Sequence, residues 1–451
     1  MALLSADVIV GLLFAFIQFR LRSIFSLSSF ILKDLVILLP PDAVEHSNGK
    51  QKALQLKWEC IRATDGTFQR IAYYDMYESF VIMNVSLIAA ALSQYLQSQF
   101  TTAPSTASCG LWTLLLIALI FPIQMNRLQF SRVGTYDTQQ YISIGISVLG
   151  FILSLFVIFA PPFWFDFNME NCIQMLSERV DEISRQLKLQ PSDSEKVFWT
   201  HVIHLLAVIL TSAFAALLAF TSFEPALQMA KFYHFYTRKS TASIGYVRSL
   251  LLALNLLLPL LVNLSWLSFI SIVAQRFMDP STWHRLRIAL VLTLVLFRVF
   301  LFRFHSQWFL LEPRSTSLPQ VNTQLSLARI QANVKLHYNF LPMFVVQYIA
   351  LSTALLAVSF MWKTEFSLRE DTHLQFKDSD RNEIGFLIRK VLQFTFISPS
   401  AYQSLVGFSI WWMTSVWMWQ LFGAFCYCAF KSNGISTERV PKKKLGKKKR
   451  I

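Results

Sequence analysis

In a strongly apolar part of the chain, residues 286–307 hold groups that such sequence seldom carries. The segment ends Phe297-Arg-Val-Phe-Leu-Phe-Arg-Phe-His-Ser-Gln, so Arg298, Arg303, His305 and Gln307 fall within three turns of a helix. Arg298 follows an uncharged stretch from Ile288 to Phe297. An Arg at the centre of a membrane helix costs about 2.5–3.5 kcal/mol on insertion scales. Arg298 and Arg303 lie about 140° apart around a helix, whereas Arg298 and His305, seven residues apart, share nearly one face. Three roles are open to Arg298. It can snorkel to the interface about a turn and a half away, pair with an acid or carbonyl inside a bundle, or serve transport or gating. Glu224, Asp75 and Glu78 are the acids expected on the same side, and any of them could meet Arg298 or Arg303.

Other reactive residue types are sparse. His201 and His204 share a helix face, but two His fall short of the three or four ligands of a metal site. Cys426 and Cys428 have the wrong spacing for a zinc knuckle and read as core or palmitoylated residues. Cys109 and Cys172 fall on one expected side, which leaves a disulfide open. Asn84-Val-Ser and Asn263-Leu-Ser match the glycosylation pattern but lie inside expected spans. There is no phosphate loop, no Gly-x-Ser-x-Gly elbow, no dinucleotide fingerprint, no His-Glu-x-x-His and no Cys-x-x-Cys. Asp75 and Glu78 sit in a loop expected in the cytosol, where the paired luminal acids of lipid-linked-sugar enzymes would not be. No enzymatic activity, cofactor or metal is therefore expected.

The elements that must position these residues are membrane helices. Of 451 residues, 15% are charged and 54% hydrophobic, with 41 Phe and 12 Trp; a soluble domain has roughly 25% charged residues. Five Cys exclude a disulfide scaffold, and the apolar content excludes disorder. A spanning helix needs about 20 mainly apolar residues. Eight such runs and a shorter first one are expected at 5–19, 78–96, 109–124, 142–165, 197–220, 249–273, 286–304, 340–362 and 404–430. Pro259 interrupts one, and Pro161-Pro162 ends another. The runs are continuous rather than alternating, which argues against strands. The first lacks the basic n-region of a signal peptide and is followed by Arg20 and Arg22, as a retained helix with an outer N-terminus would be. Trp112, Trp164, Trp199, Trp283, Trp308 and Trp362 fall near span ends, as an aromatic belt would place them.

The formal net charge is +15. The expected inner segments hold roughly twice the Lys and Arg of the outer ones, as the positive-inside rule requires. This places 20–77 and the tail in the cytosol, with 166–196 and 363–403 outside or luminal. The excess is thus a topology signal, and nucleic acid is not an expected partner. The tail ends Lys442-Lys-Lys-Leu-Gly-Lys-Lys-Lys-Arg-Ile451. It suits anionic lipid headgroups. Lys448 and Lys449, fourth and third from the end, also resemble the cytosolic dilysine retrieval signal of endoplasmic reticulum proteins. Amphipathic periodicity marks 166–190, through Phe167, Ile173, Leu176, Val180, Ile183 and Leu187, and marks 226–238 on the inner side. The run 384–397, with Arg389 and Lys390, reads as interfacial. The fold class is all-α: a polytopic bundle of eight or nine spans in one domain over 1–430, with two interfacial amphipathic helices and a basic tail at 431–451.

Several segments, in order along the chain, resemble the transmembrane protein 161 family of eukaryotic multi-pass proteins. Arg298-x-x-x-x-Arg303-x-His305-x-Gln307 is similar to the family's Leu-Arg-Leu…Met-Arg-Ser-His-Leu-Gln run. Phe344-Val-Val-Gln347-Tyr348-Ile-Ala is similar to Ala-Leu-Gln-Tyr-Val-Ala. Phe223-Glu-Pro-Ala-Leu-Gln-Met-Ala230 resembles Phe-Pro-Gly-Leu-Arg-Leu-Ala. Phe408-Ser-Ile-Trp-Trp412 with Leu421-Phe-Gly-Ala-Phe425 resembles Phe-Leu-Thr-Trp-Trp…Leu-Phe-Gly-Leu-Phe. The resemblance implies no established enzymatic activity, and links to cardiac rhythm, damped potassium and calcium currents, and calcium homeostasis in the reticulum. On it, Arg298, Arg303, His305, Gln307, Glu224, Gln347 and Tyr348 are the polar residues expected to matter. Channels or pumps are the expected protein partners, and the bilayer is the surrounding medium. A transporter or channel in its own right is the second expectation, and a lipid-modifying enzyme the third.

Overall fold

The computed structural model describes residues 6–437, apart from 23, 49–50, 65, 70, 101–108, 131–136, 187–192, 240–245, 317–319, 322–323 and 369–398. Its helices are α1 (Ala6–Leu21), α2 (Leu27–Leu32), α3 (Tyr74–Phe100), α4 (Cys109–Phe130), α5 (Asp137–Ile158), α6 (Met169–Gln186), α7 (Asp193–Lys239), α8 (Tyr246–Ser265), α9 (Ser268–Gln275), α10 (Pro280–Thr316), α11 (Gln324–Leu368) and α12 (Pro399–Thr437). Among the described residues six helices are long and apolar enough to cross a membrane, and 9–21 and 253–265 are shorter apolar helices. Long apolar runs fold this way because hydrocarbon offers the backbone no partner, so each segment must satisfy its own N–H and C=O groups.

α11 is the axis. Within its apolar window 89% of residues are buried, against 22% for α5. Its small residues Ala350, Ser352, Ala354, Ala357 and Ser359 are all buried and let neighbouring backbones close in. Polar side chains then tie the helices together. Thr353 on α11 donates to Asn84 on α3 at 2.5 Å, and Gln347 donates to Asn126 on α4. Asn263 on α8 accepts from Thr414 and Ser415 on α12, each at 2.8 Å. Ser222 on α7 donates to Gln420 on α12 at 2.7 Å. Interhelical bonds of this kind are worth about 0.6–2 kcal/mol each. At the rim, Gly150 of α5 lies so close to α7 that a Cβ would stand 2.8 Å from that of Ala219.

The apolar runs are helical, as an all-α bundle requires. Short strands form outside them, and several finer expectations are corrected. β1 (Val36–Leu38) pairs antiparallel with β4 (Cys60–Arg62), and β3 (Gln51–Lys57) lies between β2 (Asp42–Asn48) and β5 (Gln320–Val321). The runs are too short and polar to register beside the long apolar helices. The 249–273 run is two helices. α8 passes through Pro259 unbroken, and the break comes at Trp266-Leu267. There the backbone pairs with the segment after α5: Asp166 N–H bonds to Trp266 C=O at 3.0 Å, and Ser268 N–H to Trp164 C=O at 3.1 Å. α5 itself ends at Ile158, just before Pro161-Pro162. The inner amphipathic stretch at 226–238 is not a separate helix but the continuation of α7 through Pro225, since a Pro can kink a helix without ending it. α6 bears out a helix over 169–186 of the expected 166–190, with Phe167 and Ile173 buried; 187–190 lie outside the described residues. The interfacial run at 384–397 lies outside the described residues. The Trp belt is partial: Trp164 and Trp199 face outward, but Trp283, Trp308 and Trp362 are buried and pack the bundle.

Candidate functional site

Five helices meet around Arg298. From α10 its guanidinium lies against two rings, with the Trp417 centroid of α12 at 3.9 Å and the Tyr348 centroid of α11 at 5.4 Å. Arg298 is 1% exposed, and none of its three guanidinium nitrogens has a hydrogen-bond partner of acceptable geometry among the described residues. The Tyr348 hydroxyl beside it donates to the Arg298 carbonyl at 2.9 Å. With that proton committed, the 3.1 Å contact between the same oxygen and His305 Nδ1 needs the histidine as donor. A neutral His305 therefore carries its proton on Nδ1, leaving Nε2 without a partner. Phe232 and Tyr233 of α7 pack on the His305 ring, and Tyr233 accepts a bond from Asn255 of α8.

Magnitudes show how unusual this is. A desolvated cation–π contact is worth about 2 kcal/mol or somewhat more. The penalty for burying an ion is several kcal/mol even after relaxation. Two rings offset part of that, and the guanidinium N–H groups remain unsatisfied. The site can hold a positive charge, orient a Tyr–His pair and attract negative charge. Among the described residues no group of three or more His, Cys, Asp or Glu is arranged to hold a metal ion.

The remaining expected residues separate from Arg298. Arg303 faces outward and binds the Lys33 carbonyl at 2.9 Å and Asp34 at 3.3 Å. Gln307 docks β1: its Nε2 donates to the Val36 carbonyl at 2.9 Å, and its Oε1 accepts from the Val36 N–H at 2.8 Å. Gln347 points to Asn126. Glu224 accepts from Gln228 at 3.0 Å rather than meeting either arginine. Glu78 lies 2.6 Å from Arg22, with Asp75 at 3.7 Å from the same side chain. The acids expected for Arg298 are thus held by groups nearer in the chain or on the adjoining loop. His201 is exposed near the start of α7 and takes no part. The Cys109–Cys172 disulfide is not formed: Cys172 is a buried free thiol donating to the Ala401 carbonyl at 3.1 Å. Lys448 and Lys449 lie outside the described residues.

Two constellations gave no signal in the sequence. Arg287, also 1% exposed, is 2.5 Å from Asp166, donates to the Ser265 carbonyl at 2.9 Å and lies over Trp266 and Trp283. Glu312 meets Lys231 at 3.2 Å and His337 Nε2 at 3.3 Å, joining α10, α7 and α11. Spacing could not reveal either, because each partner comes from a different helix or from a chain reversal.

A family model described as "Predicted transmembrane protein 161AB" matches residues 47–430. No curated protein and no solved structure matches the chain.

Proposed function

The chain belongs to the transmembrane protein 161 family, and on that premise we propose that it is a non-enzymatic multi-pass membrane protein that tunes calcium or potassium homeostasis or currents through partner channels or pumps. The observation that carries this is the use of the buried polar side chains. Asn84, Asn126, Ser222, Asn263 and Gln347 each bond to another helix, and aromatic rings cover Arg298. Such an arrangement supports a packed scaffold whose outer faces meet lipid and other membrane proteins. The test is electrical. In cells lacking the protein, potassium and calcium current densities rise or calcium stores change, and wild-type chain restores them; unchanged currents and stores contradict the proposal.

One observation favours a second reading, a transporter or channel in its own right: Arg298 is a mid-bundle charge without a protein counter-charge among the described residues. For location, the reticulum is proposed on the dilysine tail, with the C-terminus cytosolic. Replacing Lys448 and Lys449 by Ser moves the protein onward along the secretory route if the signal is read; an unchanged distribution sinks that part.

A further inference from the structure

Arg287 and Arg298 stand about three turns apart on α10, equally buried, and the fold treats them differently. Arg287 has a carboxylate and a carbonyl within hydrogen-bond distance. Arg298 has neither. Among the described residues, the acids expected for it and those met at the same end of α10 have partners of their own: Glu312 with Lys231 and His337, Asp34 with Arg303, Glu78 with Arg22, and Glu224 with Gln228.

The neutral acceptors in the cluster, the Tyr348 hydroxyl oxygen, His305 Nε2 and Asn255 Oδ1, carry no formal charge, and the other polar groups donate. Arg298 can only donate. Trp417, whose ring lies on the guanidinium, has an indole N–H without a partner. Tyr233 accepts from Asn255, so its own O–H proton is uncommitted. A guanidinium with five N–H groups and, among the described residues, no carboxylate or carbonyl in hydrogen-bond geometry is chemically matched to an anion, and one uncompensated positive charge calls for one negative charge. At 1% exposure, with the rings of Trp417 and Tyr348 on its guanidinium, Arg298 suits an ion smaller than a lipid headgroup.

We propose that Arg298 holds a small monovalent inorganic anion, of the size of chloride, among α7, α8, α10, α11 and α12. This goes beyond the regulatory role and stands whether or not the protein conducts. Bound to the folded state alone, the anion raises stability with concentration and saturates.

The experiment uses the full chain in lipid nanodiscs at fixed ionic strength, exchanging sodium gluconate for sodium chloride. Wild-type protein gains several degrees in Tm with a saturating chloride dependence. Arg298→Gln loses that dependence, and in gluconate is no less stable than wild type, because the uncompensated charge is gone. Should Arg298→Gln fail to fold, the chloride-35 line width is read on wild type, where saturable broadening displaced by bromide supports the site. Equal Tm in the two salts, chloride dependence retained by Arg298→Gln, or line broadening that does not saturate each overturns the proposal.

Discussion

Arg287→Met removes one partner of a buried ion pair and leaves Asp166 with the Ser271 hydroxyl alone among its side-chain partners in the described residues. Asp166 is itself 28% exposed, so the expected loss is about 3 kcal/mol, the low end for breaking such pairs. Thermal unfolding checks it, and Arg287→Met with Asp166→Asn should cost less than the two single changes summed. Cys172 offers a second test at this scale. Burial pushes its thiol up to about 12 from an ordinary value of 9.0. The folded chain therefore holds that proton more tightly than the unfolded one. Its contribution is complete below about pH 9 and falls between pH 9 and 12, as the unfolded thiol ionises first. Maleimide should leave Cys172 unlabelled in the native protein near neutral pH and label it on unfolding. Arg298 and His305 are legible because apolar sequence makes polar residues conspicuous, and seven-residue spacing puts them on one face; Tyr348 is legible only through the family resemblance. What each one touches was not legible, since Trp417 lies more than a hundred residues away in sequence and Asp34 was hidden in a polar loop.

At the level of elements, Gly145 and Gly150 of α5 make a matched comparison. A Cβ at Gly145 meets nothing within 4 Å, whereas one at Gly150 meets that of Ala219 at 2.8 Å. Gly145→Ala should be neutral or stabilise by up to about 1 kcal/mol from helix propensity. Gly150→Ala should lower Tm by forcing α5 away from α7. Gln307→Leu tests the docking of β1: it strips partners from both the N–H and C=O of Val36, at about 1–3 kcal/mol for each group that stays buried, and should speed proteolysis in 36–62. The helices could be read from composition because a membrane span must be long and apolar. The small sheets could not, being three to seven residues long or shorter and held by register that pairs distant segments. The break after Ser265 has a related origin. Pro259 is the local breaker in the sequence, but the break belongs to backbone pairing with 164–166, which no local rule contains.

For the whole molecule, α11 is wrapped by its neighbours while α5 and α1 present apolar faces outward, so the outer surface is where lipid meets it. The central proposal is that this bundle acts on ion handling through other proteins rather than by conducting. Reconstitution of the purified chain in sealed liposomes, with calcium and potassium gradients and internal indicators, tests it most directly. Flux is expected to be no greater than in protein-free liposomes for wild type and for Arg298→Ala alike; a calcium or potassium flux carried by wild type and abolished by Arg298→Ala overturns the regulatory reading.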